Sequence, residues 1–189
     1  MILPEHTEID TERLTLRLVQ PLDLPALFAL HGDDVVTKHL PYESWRSAAD
    51  GQAWYGRAAA RLAAGEAAQF VVIHRKSDCV IGTCLLFHFD KPSARAEVGY
   101  VLAQAYWGAG YMHEAMQAFV AFLFGQVNLR RLEAEIDPRN LASAKLLERL
   151  GFVREGLLRQ RWKVKGVITD SALYGLLLAD ESPRSPAAD

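Results

Sequence analysis

Residues 95–136, RAEVGYVLAQAYWGAGYMHEAMQAFVAFLFGQVNLRRLEAEI, decide the fold of this chain. Polar and apolar residues alternate over 95–102 and again over 131–136, which is typical of half-buried strands. Between them, apolar residues recur at helical spacing over 111–124. A strand, a helix and a second strand in this order predict a right-handed crossover between two parallel strands.

The turn that leads into this helix, AYWGAGYMHEA at 105–115, has two glycines and no Ser, Thr, Asp or Asn to cap the helix. A Walker loop is excluded because Tyr111 and Met112 follow the last glycine, where that motif has Lys and then Ser or Thr. A dinucleotide fingerprint is weak because His113 occupies the position of its third glycine.

Two interpretations of this turn stay open on spacing alone. Gly108 and Gly110 carry no Cβ, so the N–H groups of 108–112 can approach a diphosphate closely, helped by the helix dipole. The alternative is a tight turn that only needs a positive φ at one glycine.

The elements on both sides complete one mixed α/β domain. Strands are predicted at 13–18, 69–74, 80–89, 152–162 and 168–178, and helices at 24–30, 47–64 and 140–150. No repeat or internal linker interrupts the chain. We therefore expect a domain over 13–178, a lead-in at 1–12 and a disordered tail at 179–189.

Composition restricts the function classes. The 189 residues carry a formal net charge of −2, which argues against gripping nucleic acid through bulk electrostatics. Cys79 and Cys84 have no CxxC motif or histidine cluster beside them, so we expect no metal site. The first residues lack the pattern of a signal peptide, and no apolar run approaches a membrane span. A cytoplasmic protein without a membrane partner is expected.

Three ordered motifs resemble the GNAT superfamily of N-acetyltransferases. They are AEVGY at 96–100, YWGAGYMHEA at 106–115, and the NxxSxxxLxxxGF pattern at 140–152. The branch that acetylates the N-termini of ribosomal proteins is the most similar. The resemblance implies a curved mixed sheet of about seven strands with about four helices. Its two central parallel strands, here 95–102 and 131–136, splay apart, and acetyl-CoA lies in the wedge between them.

The resemblance also assigns cofactor-binding residues. The pyrophosphate is expected on the turn, formed by Gly108, Ala109, Gly110, Tyr111 and Met112. The main chain near Val101 and Leu102 is expected to pair with the pantetheine arm, and Asn140 to reach the cofactor from the next helix. An ordinary N-cap is an equal interpretation of Asn140. Ala105 replaces the Gln or Arg of many members, so the turn is expected to bind through backbone donors alone.

Catalytic roles follow from the same resemblance. Glu97 is the candidate base for the acceptor amine, with Glu133 and Glu135 as runners-up, and a solvated outer face as the alternative for each. Many members carry a tyrosine that protonates the leaving thiolate, and this chain has Leu147 there. Ser143 is the expected substitute, donating a hydrogen bond to the developing thiolate, although a first-turn helix residue is an equal interpretation.

The acceptor is the least determined part of the prediction. His39, Tyr42 and Trp45 lie in the region that covers the acceptor site in similar proteins, where aromatic residues either line a pocket or pack the helix on the sheet. We expect an acetyl-CoA-dependent N-acetyltransferase, a monomer or homodimer, that transfers the acetyl group directly within a ternary complex to a primary amine, namely a protein N-terminus. The alternatives are a polyamine or aminoglycoside acetyltransferase and a non-catalytic CoA-binding sensor.

Overall fold

A computed structural model of the chain describes residues 3, 4 and 6–181. Eight strands form one sheet in the order β1-β2-β3-β4-β5-β6-β8-β7. They are β1 (Glu8–Asp10), β2 (Leu14–Leu18), β3 (Ala68–His74), β4 (Cys79–Asp90), β5 (Arg95–Leu102), β6 (Arg131–Ile136), β7 (Val153–Val164) and β8 (Val167–Leu177). The helices are α1 (Leu24–His31), α2 (Ala48–Ala63), α3 (Tyr111–Gly125), α4 (Leu141–Arg149) and the single turn α5 (Leu178–Glu181).

The parallel pair β5 and β6 is joined over a short length. Its register runs from Arg95–Arg131 to Glu97–Glu133, whereas β5 continues to Leu102 and β6 to Ile136. Every other neighbouring pair of strands is antiparallel. The two central strands therefore part after Glu97, which leaves the second half of β5 without a strand partner on that side.

The two faces of the sheet carry separate apolar clusters, because successive strand residues point to opposite faces. Phe70 belongs to the larger cluster, with Phe119 of α3 and Leu147 of α4. The next residue, Val71, belongs to a smaller cluster with Leu27 of α1. Helices α3 and α4 thus cover one face, and α1 packs on the other.

Most predicted elements are present within two residues of their expected ends, and the predicted number of strands needs one correction. The sheet has eight strands rather than about seven, because 8–10, in the predicted lead-in, pairs with β2 as an edge strand. Residues 178–181 form a helical turn, and most of the predicted tail at 179–189, namely 182–189, lies outside the described residues. Within the described chain, no helix combines the length and the apolar character that crossing a membrane requires.

Candidate active site

The turn before α3 has the backbone that only glycine adopts readily. Gly108 has φ +75° and Gly110 has φ +81°. Gly110 is the N-cap residue of the 15-residue α3, and no side chain caps this helix end. A Cβ at Gly108 would meet no atom within 4 Å, so the space above the turn is open. Both interpretations of the glycines are compatible with this geometry, since the turn needs positive φ and also presents uncapped N–H groups.

Arg13, the residue before β2, braces the same turn. Its Nε donates to Glu114 Oε2 at 2.6 Å, and its Nη1 donates to the Ala109 carbonyl oxygen at 3.1 Å. The guanidinium also lies 4.4 Å from the centroid of the Tyr111 ring. Sequence analysis missed this residue, because its partners lie about a hundred positions away and no local pattern joins them.

The second half of β5 borders the gap between the central strands. Val101 pairs with Thr83 of β4, and its side chain packs against the smaller cluster. The Leu102 carbonyl oxygen accepts a hydrogen bond of 2.8 Å from Trp107 Nε1. Trp107 therefore already donates to one of the main-chain groups predicted to meet the pantetheine arm, although this carbonyl oxygen can accept a second hydrogen bond.

The start of α4 places Ser143 against β5. The Asn140 side-chain oxygen accepts from the Ser143 backbone N–H at 3.1 Å, so Asn140 is an N-cap, as one of its two interpretations required. The Ser143 side chain is buried, and its hydroxyl lies 2.6 Å from the hydroxyl of Tyr100. Burial raises the pKa of Tyr100, so this phenol stays protonated and can donate to Ser143.

Tyr100 was missed as a site residue, although it stands in the quoted AEVGY motif. Strand alternation placed it on the face opposite Glu97, but only the packing of α4 reveals its partner. Leu147, at the position where many members carry a tyrosine, is fully buried in the core and offers no hydroxyl group.

Glu97 lies at the point where β5 and β6 part, on the sheet face that α1 covers further along. Its side chain is 16% exposed, and its Oε2 lies 2.9 Å from His88 Nδ1. Burial raises the pKa of Glu97, while the hydrogen bond from His88 opposes this shift. A half-buried carboxylate with a raised pKa is suited to accept a proton near neutral pH.

The two runner-up carboxylates have cationic partners. Glu133 accepts from Arg95 Nη1 and from Arg131 Nε, both at 2.8 Å. Glu135 accepts from Trp162 Nε1 at 2.7 Å and lies 3.5 Å from Arg161 Nε. Both carboxylates are therefore already engaged by neighbouring side chains, unlike Glu97, whose one hydrogen-bond partner among the described residues is His88.

The loop between α1 and α2 approaches the gap through His39. His39 Nδ1 lies 3.1 Å from Oδ2 of Asp137, the residue that follows β6. Burial would raise the pKa of Asp137, but hydrogen bonds from Arg139 and His39 hold it at about 2. Lys165, in the turn between β7 and β8, donates to the Thr37 carbonyl oxygen at 2.8 Å and ties the loop to the other side of the gap.

The other two predicted acceptor residues take part in packing. The Tyr42 hydroxyl lies 3.1 Å from His31 Nδ1. Trp45 is 7% exposed and packs 4.6 Å from the His31 ring and 5.5 Å from the Trp54 ring, measured between centroids. Little of Trp45 is left for a ligand, whereas Tyr42 keeps an exposed edge. Their acceptor-binding roles stay predictions.

Comparisons with known proteins agree with this geometry. A family profile described as "Acetyltransferase (GNAT) domain" matches residues 13–153. An uncharacterized N-acetyltransferase, p20 of Bacillus licheniformis, is 36% identical over 167 residues, which cover 88% of this chain and 94% of that protein.

Solved structures of acetyltransferases also superpose on this chain. A ribosomal-protein-S5-alanine acetyltransferase from Vibrio fischeri superposes with a TM-score of 0.77 at 28% identity, over 94% of this chain and 100% of that one. A spermidine N-acetyltransferase from Vibrio cholerae, solved with CoA and spermine, superposes with a TM-score of 0.80 over 90% of this chain and 98% of that one. At 21% identity, the second likeness concerns the fold alone.

Proposed function

We infer from its family that this chain, a GNAT acetyltransferase and an acetyl-CoA-dependent acyltransferase, acts on an amine. We propose that this amine is the free α-amino group of a protein N-terminus. Acetyl transfer is direct, within a ternary complex of enzyme, acetyl-CoA and acceptor. The observation that carries the proposal is Glu97, a half-buried carboxylate at the point where the central strands part.

The chain's own groups fit the two ends of the cosubstrate. The uncapped N–H groups at the start of α3 suit a diphosphate, and the unpartnered side of β5 near Val101 and Leu102 suits the amide groups of a pantetheine arm. When bound, acetyl-CoA supplies an acetyl group as a thioester, whose C–S bond breaks as the new C–N bond forms.

Glu97 and Ser143 assist the two ends of the reaction, the acceptor amine and the leaving sulfur. Glu97 removes the proton from the acceptor ammonium group, because only the neutral amine has a lone pair for attack. Its raised pKa narrows the difference from an α-amino group, whose pKa is about 8. Ser143, with Tyr100 behind it, donates a hydrogen bond to the sulfur as negative charge develops there.

Charge pairing favours an N-terminus over a polyamine. Of the carboxylates Glu97, Glu133, Glu135 and Asp137, the last three lie beside arginines, and only Glu97 lacks a permanently charged partner. A polyamine carries several ammonium groups, and their burial needs several unpaired carboxylates. The single α-ammonium group of an N-terminus needs only one unpaired carboxylate.

The named Vibrio fischeri relative supports the same class of acceptor. It is described as a ribosomal-protein-S5-alanine acetyltransferase, and this chain covers all of its length at 28% identity. A similar acceptor, the N-terminus of a ribosomal protein, is therefore the first to test.

Thiol release from acetyl-CoA tests the proposal across four acceptors. These are a peptide with a free N-terminal alanine or serine, the same peptide with a blocked N-terminus and an internal lysine, spermidine, and an aminoglycoside. We expect turnover with the free N-terminus alone, with the acetyl group placed on the α-nitrogen by mass spectrometry. Preferential acetylation of spermidine would move the enzyme to the polyamine class. Binding of CoA without turnover of any acceptor would favour the sensor alternative.

A further inference from the structure

His88 stands in an irregular part of β4, directly beside Glu97. The antiparallel register between β4 and β5 shifts between Phe87 and Asp90, and His88 within this bulge has φ +50°. Left-handed backbone is uncommon for residues other than glycine, and histidine is among those that adopt it more often. Bulges are frequent next to active sites, where they redirect a side chain.

The bulge turns the His88 ring onto the Glu97 carboxylate. Nδ1 lies 2.9 Å from Glu97 Oε2, and the ring centroid lies 4.6 Å from that of Phe87. The His88 side chain is 71% exposed, although it touches a carboxylate that is largely buried. In the described part of the chain, no other group makes a hydrogen bond to the Glu97 side chain, so Oε1 is left available for an acceptor.

The other charged groups near Glu97 oppose its ionisation or are engaged elsewhere. Glu133 and Glu135 on β6 both raise the pKa of Glu97. Arg95 and Arg131 are bound to Glu133, and Arg161 lies against Glu135. Among the described residues, His88 is therefore the one contact that favours the ionised Glu97.

We propose that His88 is a positioning residue for acetyl transfer: its Nδ1–H donates to Glu97 Oε2, keeps this carboxylate ionised and presents Oε1 to the acceptor amine. The inference rests on the proposed role of Glu97 as the base. His88 does not contact the acceptor itself. It sets the fraction of enzyme in which the base is ready, and it fixes the direction of the free oxygen.

The pH dependence of kcat/KM for the acceptor tests this role in three variants. His88→Ala removes the hydrogen bond, His88→Gln keeps a donor of similar reach, and Asp78→Ala controls for a change at a left-handed residue, since Asp78 has φ +52° in an exposed turn. A hydrogen bond to a charged group is worth about one pKa unit or more. We therefore expect the acidic limb of the His88→Ala profile to move to higher pH by about one unit, which is about a tenfold loss at any pH on that limb.

His88→Gln and Asp78→Ala should keep the profile of the unchanged enzyme within about threefold, and added imidazole should partly restore His88→Ala. The Kd for CoA should not change in any of the three. An unmoved acidic limb in His88→Ala, or equal losses in His88→Ala and His88→Gln, would overturn the inference.

Two further measurements separate this inference from the proposed function. In a Glu97→Gln background, His88→Ala should cause no further loss, because there is no carboxylate left to position. If Glu97→Gln is fully active, the base assignment fails, and the inference fails with it. If Glu97→Gln is impaired but His88→Ala is normal, only the inference fails. The pKa of the Glu97 carboxyl, followed by carbon NMR, should rise in His88→Ala even without any acceptor.

Discussion

Glu97 and Ser143 lie on opposite faces of the same gap in the sheet, and each side chain has one close partner. Glu97 is held by His88, and Ser143 by Tyr100. In both cases a residue that could be predicted from the sequence depends on one that could not. The resemblance singled out Glu97 and Ser143 by position in a motif, whereas His88 and Tyr100 become visible only through contacts made by folding.

Glu97→Gln keeps the shape of the side chain and removes its basicity. We expect turnover to fall by about 10²–10⁴-fold, the usual contribution of a positioned general base. The deficit should be largest below the pKa of the acceptor amine and shrink as pH rises, because an amine that is already neutral needs no base. Steady-state rates between pH 6 and pH 9.5 measure this effect.

Glu133→Gln is the matched control for Glu97→Gln, since it alters a neighbouring carboxylate that two arginines already neutralise. It should lose less than Glu97→Gln at every pH. A larger loss in Glu133→Gln would transfer the role of base to Glu133.

Ser143→Ala tests the donor to the leaving thiolate. The backbone N–H of residue 143 still binds Asn140, so the cap of α4 is preserved. We expect kcat to fall while the Kd for acetyl-CoA stays nearly constant, because the donor acts mainly in the transition state. Single-turnover rates and calorimetry measure the two quantities. Equal losses in both would leave Ser143 as a binding or capping residue.

At the scale of elements, the start of α3 joins a turn with two left-handed glycines to an uncapped helix end. Gly110 is both the N-cap residue and a left-handed residue, so one position determines both the turn and the uncapped helix end. Arg13, the residue before β2, holds this geometry through its bonds to Ala109 and Glu114. The turn is therefore anchored by a residue at the far end of the sequence.

Gly110→Val should abolish binding of CoA. Valine resists positive φ, and its branches occupy the space where phosphate oxygens are expected. Gly166→Val is the control for backbone strain, since Gly166 has φ +73° with no atom near its Cβ position. Calorimetry should detect CoA binding in Gly166→Val and none in Gly110→Val. Equal affinities would make the glycine turn purely structural.

The central unit could be predicted from sequence with its strand bounds intact, because β5 and β6 alternate cleanly and α3 has one apolar stripe. β1 could not be predicted, since three residues are too short for a period and its strand geometry comes from pairing with β2. The contacts of Arg13 with the glycine turn could not be predicted for a related reason. An ion pair between residues 13 and 114 depends on topology, which local patterns do not encode.

At the scale of the whole molecule, stability depends on a buried histidine that takes no part in the proposed chemistry. His31 is enclosed by Trp45, Trp54 and Tyr42, and its Nε2 has no hydrogen-bond partner among the described residues. Burial lowers the pKa of His31 from 6.5 to about 4. The unfolded chain therefore takes up this proton at a higher pH than the folded chain does.

The free energy of unfolding should consequently fall as pH decreases from 6.5 to about 4, by about 3 kcal/mol from His31 alone. Above pH 6.5 the full contribution is present. Urea denaturation of the unchanged protein and of His31→Gln, from pH 7.5 to pH 4, measures this dependence by difference. Parallel curves for the two proteins would exclude His31 as the source of the pH dependence.

The cytoplasmic location and the choice between monomer and homodimer stay predictions.

The brief pairing of β5 with β6 also leaves the backbone of 98–102 and of 134–136 without a strand partner across the gap. Five strands lie on the β5 side of the gap and three on the β6 side, and three residue pairs join β5 to β6. A cosubstrate that fills the gap covers these backbone groups. Amide hydrogen exchange should therefore slow along 98–102 and 134–136 when CoA is added, far more than in the distant β2, and equal slowing in β2 would mean that CoA tightens the whole molecule instead.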